Sequence, residues 1–107
     1  MRNTALVHLT KTLSDQLGPQ GITVNIVHPG VTRTEHVESW FAEMARGAGT
    51  TVEAIIKREA ADPAAIRRML EVDEVADCIL FLASKRASGL TGESIAVDGG
   101  LSRAVYL

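Results

Sequence analysis

Leu6, Leu9, Leu13 and Leu17 recur at intervals of three and four in the run ALVHLTKTLSDQL. That spacing places an apolar stripe along one side of a helix. It predicts an amphipathic helix over Thr4 to Leu17, stopped by Gly18 and Pro19. Gly21 then allows a tight entry into a strand over Ile22 to Val27. Val24, Ile26 and Val27 are β-branched and apolar, as a strand covered on both faces requires. Pro29 has no N–H to give a ladder, so the strand ends there. A helix followed by a strand is half of a β-α-β unit, whose crossover is right-handed.

From Glu35 to Leu70 the pattern changes to short helices broken by Gly47, Gly49 and Pro63. Thr34 is placed to cap the first (Glu35 to Ala45), and Thr50 or Thr51 the second, with Glu53 in its first turn. Asp62 and Pro63 form an N-cap and N1 pair for a third. Trp40, Phe41 and Met44 supply the apolar face. The next helix opens at Val72 or Asp73, with Asp73 and Glu74 at its positive end. Val75, Ile79, Leu82 and Ala83 form its expected core stripe, and Lys85 and Arg86 close it. Gly89 to Gly92 reads as a turn, Ser94 to Val97 as a second short buried strand, and Asp98-Gly99-Gly100 as its end. No repeat, low-complexity run or linker divides the chain.

Composition narrows the class. A chain of 107 residues is at most one small domain. Its apolar content of 46 % exceeds what so short a chain buries easily alone. Two buried strands also make a sheet that is marginal in isolation. The net charge of −2 is spread among interspersed acids and bases, and aromatics are 4 %. Neither a basic patch nor a stacking platform is present, which argues against nucleic acid. Cys78 is the only cysteine, so an intrachain disulfide is excluded, and its apolar helical setting suggests a buried small hydrophobe in a reducing compartment. No apolar run reaches the roughly 20 residues that span a bilayer. The start MRNTALVHLT lacks a signal-peptide pattern, so the expected location is the cytoplasm.

The chemistry-bearing residues cluster after the first strand. In an open α/β sheet, ligands sit beyond the carboxyl ends of the strands, which is where Pro29, Gly30, Thr32 and Thr34 fall. Gly30 has no Cβ, so another molecule can approach its backbone. Asn25 is unusual inside a strand and needs partners if buried; it is expected to tie the strand to a neighbouring loop. His8, His28 and His36 match no metal-ligand spacing. His28 ends the strand beside the presumed pocket, whereas His8 and His36 read as solvated. Asp98-Gly99-Gly100 offers either exposed N–H groups for an anion or a plain turn; the turn is favoured.

The runs VNIVHPGVTRT (Val24 to Thr34) and TGESIAVDGG (Thr91 to Gly100), with the two long helices in this order, resemble the C-terminal portion of the short-chain dehydrogenase/reductase family. The resemblance implies an α/β fold: the C-terminal part of a Rossmann-like doubly wound parallel sheet, residues 1–107, with 35–70 as a variable substrate-side insert. It implies NAD or NADP in a complete parent, and hydride transfer between nicotinamide and a carbonyl or alcohol. Pro29 and Gly30 would form the wall behind the nicotinamide. Val31 and Thr32 would offer backbone groups, and Thr34 its hydroxyl, to the carboxamide. Thr32 stands where the family usually has Ile or Val.

Other family features are missing. The chain has no T-G-x-x-x-G-x-G turn, no upstream Ser and no Tyr-x-x-x-Lys; its only tyrosine is Tyr106. Asn3 aligns with the catalytic lysine position, so no catalytic residue is assigned. The chain reads as truncated on its amino side and inactive alone, with weak cofactor binding or none. The resemblance also implies partners: a homo-oligomer, or assembly with a full-length relative, and a small-molecule substrate in the parent. The tail residues Leu101, Val105, Tyr106 and Leu107 would pack on such a partner. The rival expectation is a non-catalytic interaction module that presents its two long helices to another subunit.

Overall fold

A computed structural model describes residues 2–103, with side chains from Thr4 onward. The expectations for the Asn3 side chain and for Val105, Tyr106 and Leu107 lie outside those described residues. The elements run α1 (Arg2–Leu17), β1 (Ile26–Pro29), α2 (Glu35–Ala48), α3 (Val52–Ile56), α4 (Val72–Leu82) and β2 (Ser94–Val97). The chain divides into two compact units. One holds the chain through His28 with Ala76–Ala96, and the other holds Pro29–Val75 with the segment from Val97 on.

The strands pair as a two-stranded parallel sheet. Its register is read from Gly92 N–H donating to Val24 C=O (2.7 Å), Ile26 N–H to Glu93 C=O (2.9 Å) and Gly30 N–H to Val97 C=O (2.9 Å). The partner residues climb together along both strands, which is the parallel pattern. The α/β class that the resemblance implies is therefore observed.

In the first unit, α1 has the expected extent but not the expected face. Leu6 and Leu9 are 49 % and 52 % exposed, while Thr10 and Ser14 are only 6 % and 4 % exposed. The two buried hydroxyls are both hydrogen-bonded. Ser14 Oγ shares a hydrogen bond of 2.7 Å with Thr91 Oγ1, which also accepts from Val24 N–H at 3.0 Å. Thr10 Oγ1 turns back to Leu6 C=O at 2.8 Å. Gly92, with φ of +71°, would bring a Cβ within 3.0 Å of Ser14 Oγ. The Thr10 and Ser14 hydroxyl side chains are thus buried, whereas Leu6 and Leu9 face outward and Leu13 and Leu17 are half-buried. The expected core stripe of α4 is corrected as well: no residue of α4 is fully buried, and Ile79 and Ala83 are exposed. The narrow sheet is one strand pair and covers little of a helix. Cys78 is half-buried with a free thiol.

The second unit carries its own core of Phe41, Ala45, Ile55, Ala60 and Met69, flanked by Val31, Val37, Met44, Val52 and Ile56. Burying Phe41 and Ile55 completely stabilises it by roughly 1.5–3 kcal/mol each. Thr34 caps α2 by accepting from Val37 N–H at 3.2 Å. Gly47, expected to break this helix, lies inside it; the stop falls at Gly49, whose φ is +66°. Thr51 caps α3, and the helix continues through a π turn, Lys57–Ala61. The expected third helix at Asp62-Pro63 does not form. Asp62 instead ends the preceding run: its N–H donates to Lys57 C=O at 2.8 Å and its carboxylate takes Lys57 Nζ at 2.9 Å. Among the described residues no helix is long and apolar enough to cross a membrane.

Candidate functional site

The loop Gly30 to Thr34 leaves the carboxyl end of β1, where the sequence placed its candidates. Gly30 is required by its surroundings within the chain. A Cβ there would meet Asp98 Cα at 2.7 Å, so the close approach is made by the chain's own backbone. Pro29 is exposed beside it.

Thr32 and Leu70 form an isolated parallel bridge. Leu70 N–H donates to Val31 C=O at 2.9 Å, and Arg33 N–H donates to Leu70 C=O at 2.8 Å. In a parallel bridge the residue between those two bonds turns its own N–H and C=O the other way. Thr32 is that residue, and neither group takes a partner among the described residues. Its hydroxyl donates to Gly30 C=O at 3.0 Å. Val31 is placed differently: its carbonyl is engaged by Leu70 and its side chain packs against the insert core. The Thr34 hydroxyl accepts from Val37 N–H and retains its own hydrogen for donation.

Four residues to which the sequence reading gave no role, Arg33, Glu38, Arg68 and Glu71, complete this region. Arg33 Nε donates to Glu71 Oε1 at 3.1 Å and its Nη1 to Glu38 Oε1 at 3.3 Å. These bonds, first to Glu71 and then to Glu38, raise the Arg33 pKa above its ordinary value. Arg68 grips Glu74 through two bonds of 2.6 and 2.9 Å, and Glu74 Oε1 also accepts from Glu71 N–H at 2.9 Å. The Arg68 guanidinium, then the Glu71 N–H, hold the Glu74 carboxyl down at about 2. Glu38, four residues beyond Thr34, was the only local hint of this arrangement; Glu71 lies too far along the chain to be paired by eye.

Asp98-Gly99-Gly100 is a closed turn. Asp98 Oδ1 accepts from Gly100 N–H and Oδ2 from Ser102 N–H, both at 3.0 Å. Those two N–H groups are satisfied internally, in keeping with the turn reading. Gly99 C=O accepts from Ile66 N–H at 3.0 Å. His28 Nε2 meets Ser94 Oγ at 2.6 Å across the strands, and His8 and His36 are exposed. Among the described residues no group of three or more His, Cys, Asp or Glu side chains is arranged to hold a metal. Asn25 lies just before β1 rather than inside a strand over Ile22 to Val27, and it makes the expected tie to the loop through Leu90 C=O and Glu93 N–H, both at 3.1 Å. It also lines an open groove of about 390 Å³ in the first unit, with Thr23, Val27, Ile79, Leu82 and Ala83. With both ends of the Asn25 amide occupied, that groove is largely apolar.

Residues 2–102 match the family described as enoyl-(acyl carrier protein) reductase. The A-factor type γ-butyrolactone 1'-reductase of Streptomyces virginiae is 37 % identical over 98 residues, covering 92 % of this chain and 35 % of that protein. L-xylulose reductase of Caenorhabditis elegans is 38 % identical, with 92 % and 35 % covered. The crystal structure of L-sorbose reductase from Gluconobacter frateurii, complexed with NADPH and L-sorbose, superposes with a TM-score of 0.88 at 28 % identity, over 95 % of this chain and 39 % of that one. The chain thus spans little more than a third of the length of these relatives. With its family match, its relatives and its parallel α/β architecture in agreement, the chain belongs to the short-chain dehydrogenase/reductase family.

Proposed function

We propose that this chain forms the nicotinamide-side wall of an NAD(P)-dependent reductase site and does not turn over substrate alone. The observation that carries this reading is the open main chain of Thr32. A carboxamide needs an acceptor for its N–H and a donor for its oxygen. The Thr32 C=O and N–H supply one of each, and the Thr34 hydroxyl adds a group that donates. The residues present therefore fit the amide end of a nicotinamide. Bound there, the nicotinamide supplies the hydride chemistry. The chain's own residues orient the ring: Leu70 fixes the direction of the Thr32 groups, and the α2 cap fixes Thr34. A nicotinamide cofactor, NAD or NADP, is supported by the NADPH named for the L-sorbose reductase complex and for a Bacillus subtilis reductase 32 % identical to this chain, and by the NADH named for a 4-hydroxyisoleucine dehydrogenase complex 31 % identical to it. Inactivity is supported by the sequence, whose 107 residues contain no Tyr-x-x-x-Lys to deliver a proton.

Titrating the purified chain with NADPH while recording amide NMR shifts tests this directly. Perturbations centred on Thr32 and Thr34, without oxidation of NADPH by carbonyl substrates, are expected. Unmoved Thr32 and Thr34 signals at millimolar NADPH would remove the cofactor reading. A reductase rate abolished by Thr34→Ala would instead overturn inactivity.

A second reading, an assembly module for a second copy or a full-length relative, draws on the first unit. There Leu6, Leu9, Ile22, Ile79, Leu80 and Phe81 are all exposed.

A further inference from the structure

The insert between Thr34 and Leu70 leaves and returns through one narrow neck. Two backbone bonds, Leu70 N–H to Val31 C=O and Arg33 N–H to Leu70 C=O, join its two sides. An isolated bridge of that kind has no neighbouring ladder to support it, and short strand pairs are marginal. Arg33 spans the same neck with its side chain. Its Nε reaches Glu71 on the returning side, and its Nη1 reaches Glu38 in the first turn of α2. Leu70 beneath it is buried, as is Met69 of the insert core. Glu71 is held in turn, because its N–H is accepted by Glu74, which Arg68 grips.

We propose that Arg33 is a positioning residue: its fork between Glu38 and Glu71 locks the Thr32–Leu70 bridge and so couples the pose of the insert to the open N–H and C=O of Thr32. This rests on the nicotinamide-side reading of that loop. The chemistry explains the residue type. A planar guanidinium presents N–H groups in two directions at once, whereas a lysine ammonium is a compact point charge. Each ion pair is exposed and weak alone. Their effect is local, because both act on a neck that has only two backbone bonds to lose. Through this fork, any shift of α2 relative to Glu71 is passed to Thr32, so that substrate-side movement re-aims the cofactor-side groups.

Amide hydrogen exchange of the chain tests the coupling, with Arg33→Gln, Arg33→Lys and Glu71→Gln as variants. In Arg33→Gln the Arg33 and Leu70 amides are expected to exchange about fivefold faster, the order that two exposed ion pairs supply. Arg33→Lys and Glu71→Gln should show a smaller increase at the same two amides. The amides of Ala45 and Ile55 in the insert core should keep wild-type rates. Unchanged Arg33 and Leu70 exchange in Arg33→Gln overturns the proposal. Equal acceleration at Ala45 and Ile55 also overturns it, in favour of a general structural role. If Arg33→Gln fails to fold, Arg33→Lys and Glu71→Gln decide by the same two criteria. The NADPH titration of the wild-type chain is read separately. A silent Thr32 there removes the nicotinamide reading while the exchange data still decide whether the fork holds the neck.

Discussion

A methyl group added at Gly30 would lie 2.7 Å from Asp98 Cα and 2.9 Å from its Cβ. The obstacle is mostly backbone, which yields less than the end of a side chain. Gly30→Ala is therefore expected to destabilise the chain by about 1–3 kcal/mol, the range for overpacking a tight site. Gly18→Ala is the control, since nothing lies within 4 Å of the Cβ it would add. Matching denaturant midpoints for the two variants would show that Gly30 is not held against Asp98. The sequence singled out Gly30 for its missing Cβ but assigned the space to a ligand, because Asp98 sits at the far end of the chain. Asn25, Thr34 and Thr51 were legible for the opposite reason. An amide shielded from water must find partners, and a cap hydroxyl serves an N–H three residues on.

The start of α4 shows what an element owes to charges that no hydrophobic pattern reveals. Glu74 is depressed from the ordinary 4.5 to about 2 by Arg68 first and the Glu71 N–H second. A carboxyl whose folded pKa lies below its unfolded value stabilises the fold above the unfolded pKa. That contribution is present above about pH 4.5 and disappears as pH falls toward 2. Helicity followed by circular dichroism is expected to decline across this window in the wild-type chain. Glu74→Gln should show a flatter profile there; an identical acid transition would mean that the Arg68–Glu74 grip contributes nothing. Half of a capping box, with an acidic side chain reaching back to the N–H three residues before it, was hidden because Glu71 is not a usual cap residue. Period was legible for every long helix; phase was legible on α2 at Phe41 and Met44, though not at the exposed Trp40, and was missed on α1. On α1 the leucine spacing was right, but Ser14, bonded to Thr91, and Thr10, bonded to Leu6 C=O, are buried while Leu6 and Leu9 are exposed.

At the scale of the whole chain, the succession of α1, β1, α2, α4 and β2 was legible from local periodicity and turn residues, the α/β class from the family resemblance, and the helix expected at Asp62-Pro63 was not formed. Burial was not legible, because it depends on what covers each face. Ile79, Leu80 and Phe81 are consecutive on α4 and all exposed, Leu80 by 66 %. Successive helical residues are about 100° apart, so these three point across roughly 200° of the helix. A helix with apolar side chains over so wide an arc is normally enclosed rather than solvated, and an exposed apolar surface of this kind favours association. The chain is therefore expected to self-associate, with a weight-average mass in light scattering that rises with concentration above the 11.4 kDa monomer. Leu80→Glu should suppress that rise without loss of fold, because Leu80 gives up little burial on substitution. Unlike a core change, it should leave the circular dichroism spectrum unaltered. A monodisperse 11.4 kDa species at every concentration would eliminate the assembly reading. It would leave the Thr32 loop as the feature through which this chain acts.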